Sequence, residues 1–145
     1  MTRHILAFDL GSNMAYAKNF GQTVSAHREF KGGRRVALPA IHGWLLPMVK
    51  WEPDVVVYER PFARGQAATR MLWGIAGLIE AVFGDVAAVV DYTPSEIKKF
   101  STGGGKADKD KMTFAAQLLG YAGDNEHEAD AFCLLKFSEA TIKKG

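Results

Sequence analysis

The chain reads as an α/β domain: a mixed five-stranded sheet, three antiparallel strands then two parallel ones, flanked by helices. Three observations predict it. A short apolar run is followed by two more that surround Gly21-Gln22, the pattern of a strand and a hairpin. Helical and β-branched segments then alternate. The last third shows helical spacing only. With 145 residues, 48% hydrophobic and 23% charged, the chain has the size and composition of one globular domain.

Ile5, Leu6, Ala7 and Phe8 form the first apolar run, which meets one carboxylate, Asp9, before Leu10, Gly11 and Ser12. A short run of this kind reads as a buried strand. A charge inside such a strand is expensive unless it is paired or bound to a cation. Asp9 is therefore either a cap on the following turn or a metal ligand. Residues 14–20 and 23–30 make the hairpin, and Gly32, Gly33, Arg34 and Arg35 a loop. The spacing of Val36, Ile41, Trp44, Leu45, Met48 and Val49 predicts a helix over about 36–51, with Pro39 in its first turn and a kink at Pro47.

Val55, Val56, Val57 and Tyr58 are a central buried strand ending at Glu59, the second carboxylate delivered by a strand end. Surface pairing with Arg60 is the alternative role for it. Residues 65–83 form a long helix with Met71, Leu72, Ile75, Leu78, Ile79 and Val82 on one face, stopped by Gly84. Residues 86–90 read as another buried strand, closing at Asp91. Thr93-Pro94-Ser95-Glu96 is a helix start, and the helix runs to about Phe100. Residues 102–106 are a glycine-rich loop, 107–119 a helix closed by Gly120. Asp124-Asn125 caps a last helix over 126–142.

The net charge of +2 is too small to name a partner, but its distribution is informative. Arg28, Lys31, Arg34 and Arg35 cluster; so do Arg60, Arg64 and Arg70, and Lys98, Lys99, Lys106, Lys109 and Lys111. Three basic clusters flanking acidic positions point to a phosphate-binding surface. The single Cys133 permits no internal disulfide, in keeping with a reducing, cytoplasmic compartment. No signal peptide interrupts this reading, and no apolar run approaches the ~18 residues of a membrane span. Neither a membrane nor an organic cofactor is expected.

Asp9 and Glu59 gain company from the last helix. His127 and Asp130 are three residues apart, so both reach one point; Glu126 lies four before Asp130 and could assist, whereas Glu128 should point elsewhere. Oxygen ligands suit Mg²⁺ or Mn²⁺, and an imidazole tolerates Mn²⁺. Carboxylates converging from strand ends beside a basic surface are what two-metal phosphodiester chemistry needs.

These residues resemble the motifs of RuvC-type Holliday-junction resolvases, over nearly the whole chain. ILAFDLGS with Tyr16 is similar to the first-strand motif, with Leu10 where the family usually has Pro. VVVYERPF resembles the second-carboxylate motif. GGGKADKDKM resembles the basic motif, met at Gly103, Gly105, Ala107, Lys109 and Met112, and HEADAF resembles the closing motif. The resemblance implies an RNase H-like fold and a divalent-metal-dependent nuclease of branched DNA, working on the four-way junction as a homodimer through the long helix. It implies Asp9, Glu59, His127 and Asp130 as ligands of two Mg²⁺ or Mn²⁺ ions, and Lys109 at the scissile phosphate. It further implies Lys98, Arg64 and Lys106 on phosphates, and Phe62 stacked on a base. The chain is shorter than most bacterial members, which suggests a phage or prophage version.

Two other functions compete. A less selective RNase H-like nuclease would cut flaps and forks as readily as junctions. The segment DLGSN also occurs in actin-like phosphotransferases, but two such domains enclose the nucleotide there, and 145 residues do not supply both.

Overall fold

The computed structural model describes residues 3–62, 65–102 and 109–142. Its centre is one five-stranded sheet of order β3-β2-β1-β4-β5. The strands are β1 (Ile5–Asp9), β2 (Asn13–Lys18), β3 (Ser25–Glu29), β4 (Val55–Glu59) and β5 (Ala88–Tyr92). β1 pairs antiparallel with β2 and β2 with β3, whereas β1/β4 and β4/β5 are parallel. The carboxyl ends of β1, β3, β4 and β5 therefore share one edge of the sheet. This is the mixed sheet that the order of runs predicts.

Side chains alternate across a strand, and here they divide the core in two. Leu6, Phe8, Met14, Tyr16, Val56 and Tyr58 face α1 (Arg34–Leu45), a 3₁₀ turn over Leu46–Trp51 and α2 (Gln66–Phe83). Ile5, Ala7, Ala15, Ala17, Val55 and Val57 face α5 (Glu126–Ile142), backed by α3 (Pro94–Thr102) and α4 (Lys109–Leu118). On that second face Ala7, Ala15 and Ala17 share a cluster with Ala129 and Ala131. Small residues on both partners let the α5 backbone lie close to the sheet, which brings its first turn to the end of β1. On the other face a Cβ at Gly74 would meet the Leu38 side chain at 2.9 Å, so Leu38 of α1 packs directly on the α2 backbone there.

Three elements differ from their sequence expectation. The first helix starts at Arg34 rather than 36, after Gly32 and Gly33 at φ 99 and 74, angles that only glycine adopts at little cost. Pro39 thus lies inside the helix. The predicted kink at Pro47 is a change of helix type: the chain tightens to 3₁₀ from Leu46, with Pro47 near its start. β5 begins two residues late, because Val55 pairs with Ala88, not with Val86. Val86 is 52% exposed, and β5 is an edge strand, so the expected burial fails there. The helix after Thr93 runs to Thr102, fixed by a reciprocal cap in which Thr93 N–H donates to Glu96 Oε2 at 3.0 Å and Glu96 N–H to Thr93 Oγ1 at 3.3 Å. Among the described residues no helix is long and apolar enough to cross a membrane.

Candidate active site

Parity decides which carboxylates meet. Asp9 has the parity of Ile5 and Ala7, and Glu59 that of Val55 and Val57, so both point to the α5 face. Phe8 is in register with Tyr58, so Asp9 and Glu59 follow side by side at the ends of two adjacent parallel strands. Asp91 has the opposite parity; it holds the Arg60 guanidinium, with Nε donating to Oδ2 at 3.1 Å and Nη2 to Oδ1 at 3.4 Å.

α5 supplies the remaining groups. Asn125 caps its start, the Oδ1 accepting from the N–H of His127 at 3.0 Å and of Glu128 at 2.9 Å. The Asn125 N–H in turn donates to the Tyr121 hydroxyl at 3.1 Å. Glu128 points away from the site: it accepts from Ser25 Oγ at 2.8 Å and pairs with His27, tying α5 to β3. That tie joins residues about a hundred positions apart, so no local pattern announces it. Asn125→Ala is expected to cost about 1 kcal/mol, measured by the urea midpoint, because two amides of the first turn lose their acceptor.

Asp9, Glu59, His127 and Asp130 line one pocket of about 270 Å³, together with Arg60, Phe62 and Lys98. His127 Nδ1 lies 3.1 Å from Asp9 Oδ2, and its Nε2 lies 3.4 Å from Glu126 Oε1. Lys98 is half-buried and Phe62 is 49% exposed at the rim. From the sequence Arg60 belongs to a basic cluster or pairs with Glu59; in the structure it lines the pocket and its guanidinium is held by Asp91. Arg64, Lys106 and the glycines of the basic loop lie outside the described residues, as does the side chain of Lys109 at the start of α4.

The electrostatics of the pocket are those of too many acids. Burial first, then the Asp9 and Glu59 carboxylates, push Asp130 up to about 7. The hydrogen bond to Asp9 raises His127 against the effect of burial, and Asp9, Glu126 and Asp130 add to it by charge. Both groups hold a proton to higher pH than an ordinary Asp and His do. That is the signature of a pocket short of positive charge, and the donor set, carboxylate oxygens with one imidazole, suits Mg²⁺ or Mn²⁺. Among the described residues no three of these side chains surround a common point as a finished ligand cluster. Asp9, Glu59 and Asp130 share the pocket wall rather than a coordination sphere, with His127 turned onto Asp9 and, outside the pocket, onto Glu126.

No family model matches the chain. The crossover junction endodeoxyribonuclease RuvC of Parvibaculum lavamentivorans is 31% identical over 130 residues, covering 86% of this chain and 71% of that protein. The chain belongs to the RuvC family. RuvC of Corynebacterium diphtheriae is 41% identical over 84 residues, covering 56% of this chain and 50% of that protein; RuvC of Corynebacterium glutamicum is 38% identical over 86 residues, covering 58% and 39%. The chain spans half or less of the length of these two relatives. Thermus thermophilus RuvC superposes with a TM-score of 0.75 at 16% identity over 96% of both chains. The same protein in complex with a Holliday junction substrate superposes at 0.82, over 99% of this chain and 96% of that one. The RuvC fold, RNase H-like, is therefore the fold of this chain.

Proposed function

We propose that the chain is a divalent-cation-dependent endodeoxyribonuclease that nicks branched DNA, with the four-way junction as its preferred substrate. One observation carries this reading: strand ends and one helix bring Asp9, Glu59, His127 and Asp130 to a single pocket, where burial and neighbouring carboxylates raise Asp130 and the hydrogen bond to Asp9 raises His127. The RuvC relatives support the substrate class. Asp9, Glu59, His127 and Asp130 would hold two Mg²⁺ or Mn²⁺ ions. When bound, such a pair supplies acidity to the attacking water and charge neutralisation to the leaving 3′ oxygen.

The chain's own residues do the rest. In their deprotonated forms Asp130 would serve as a cation ligand, and His127 would hold a cation or orient the attacking water. Lys109 counters charge developing on the scissile phosphate. Lys98, Arg64 and Lys106 hold flanking phosphates, and Phe62, exposed at the rim, stacks on a base freed by the branch point. One nuclease domain over residues 1–145 acts as a homodimer through α2, where Trp73 is 49% exposed and Gly77 faces open space. It works in the cytoplasm, where DNA is its partner.

The test is a labelled four-way junction incubated with Mg²⁺ or Mn²⁺, beside a flap and a fork. Paired, symmetric nicks in the junction, faster than any cut in the flap, are expected. Equal rates on flap and junction would demote the junction to one branched substrate among several.

A further inference from the structure

A second cleft of about 430 Å³ lies on the same edge of the sheet as the acidic pocket. The two are neighbours: Asp9 and Leu10 line the pocket and Ser12 the cleft, Leu72 of α2 the pocket and Met71 the cleft. The cleft forms where the turn from β3 into α1 meets the first turns of α2, and the Phe30 N–H, donating to the Ser12 carbonyl at 2.6 Å, fixes its near wall. Its floor is apolar: Phe30, Ala37 and Met71. Its rim carries two exposed arginines, Arg34 and Arg70, and among the described residues no carboxylate lines it. Among the described residues neither arginine takes part in an ion pair or side-chain hydrogen bond. A third cation stands behind the floor, with the Arg28 guanidinium 5.0 Å from the centre of the Phe30 ring.

This combination has a chemical meaning. Two guanidiniums at one rim repel each other, and among the described residues neither has a counter-charge in contact. Such a rim favours an anion from outside. The apolar floor distinguishes that anion from a free, hydrated one, because it offers a surface for a sugar or base edge but no donor. A nucleotide within a strand meets both demands, and guanidinium is the side chain best matched to phosphate oxygens. The cleft adjoins the acidic pocket along the sheet edge, so a strand held at the Asp9 end of β1 is within reach of it.

Resting on the nuclease reading above, we infer that the cleft holds a non-scissile nucleotide of the DNA arm next to the cleavage site. Its phosphate lies against Arg34 and Arg70 and its sugar on the floor of Phe30 and Met71. The site grips the arm and takes no part in the chemistry.

The experiment compares the wild-type chain, Arg34→Gln/Arg70→Gln, and a control that removes equal charge from the opposite edge, Arg3→Gln/Lys50→Gln. Binding to a four-way junction is measured by fluorescence anisotropy across a salt series in Ca²⁺, and turnover at saturating DNA in Mg²⁺. The rim variant should bind about tenfold more weakly at 0.1 M salt, with a salt slope less negative by about one. Its turnover at saturating DNA should stay within about twofold of wild type. An unchanged slope in a rim variant whose wild-type parent binds and cleaves would overturn the assignment, as would an equal loss in the opposite-edge control. A wild-type chain that does not bind DNA at all would overturn the nuclease reading itself, and this one with it.

Discussion

Asp9→Asn is expected to lower the cleavage rate by about a thousandfold or more while leaving DNA affinity within about twofold. The size follows from the kind of interaction removed: charge stabilisation by a cation pair amounts to several kcal/mol, and each 1.36 kcal/mol is a factor of ten. The sparing of affinity follows from geography. Asp9 sits in the acidic pocket, its side chain 14% exposed, and its charge repels phosphate. The grip on DNA is assigned to cations around it, Lys98 at the pocket and the arginines and lysines beyond. Asparagine keeps the shape and one acceptor oxygen for His127, so the fold persists. Single-turnover cleavage in Mg²⁺ and anisotropy in Ca²⁺ separate the two quantities. Loss of affinity in a well-folded Asp9→Asn protein, or cleavage near wild-type rate, would contradict the assignment.

Asp130→Asn is expected to stabilise the metal-free protein above neutral pH and to destabilise it relative to wild type once Mn²⁺ is added. In the unfolded chain this carboxyl titrates near 3.8; in the fold, burial and two neighbouring carboxylates push it up to about 7. Between those values the folded state keeps a proton that the unfolded state has lost. Stability contributed at this position is therefore present below about pH 4 and is lost as pH rises towards 7. Asparagine has no proton to lose. Its advantage is absent near pH 4, grows through pH 5 and 6, and is complete above 7. About 2 kcal/mol is reasonable there, which is about 5 °C in Tm for a chain of this size. Mn²⁺ inverts the order, since an ion that binds only the folded state stabilises the protein that still has its ligand. Thermal melts at pH 4, 6 and 8, with and without Mn²⁺, check the pattern. A variant less stable than wild type at pH 8 without metal would contradict it.

The two strand carboxylates were legible because each ends a run too apolar to tolerate a charge, and the period of two puts both on one face. His127 and Asp130 were legible because three positions along a helix return to the same side. Glu128 was correctly set apart by the same geometry, and its target, Ser25 and His27 on β3, was not legible because about a hundred residues separate them. The start of β5 was misread because register with β4, a property of the pair, outranks the apolar character of Val86 and Ala87. The helix after Gly33 was placed late because its first turn, Arg34 and Arg35, looks like loop when only apolar spacing is counted. The same residues, read as one more basic cluster, gave no hint of sharing a cleft with Arg70. That cleft exists only because two helices begin side by side at one sheet edge.

Diffraction from crystals soaked in Mn²⁺, collected at a wavelength where manganese scatters anomalously, tests whether the acidic pocket is a cation site. Peaks are expected between Asp9, Glu59 and Asp130, with His127 drawn off its carboxylate partners. A pocket free of such peaks at a Mn²⁺ concentration that sustains cleavage would contradict the assignment of a cation site.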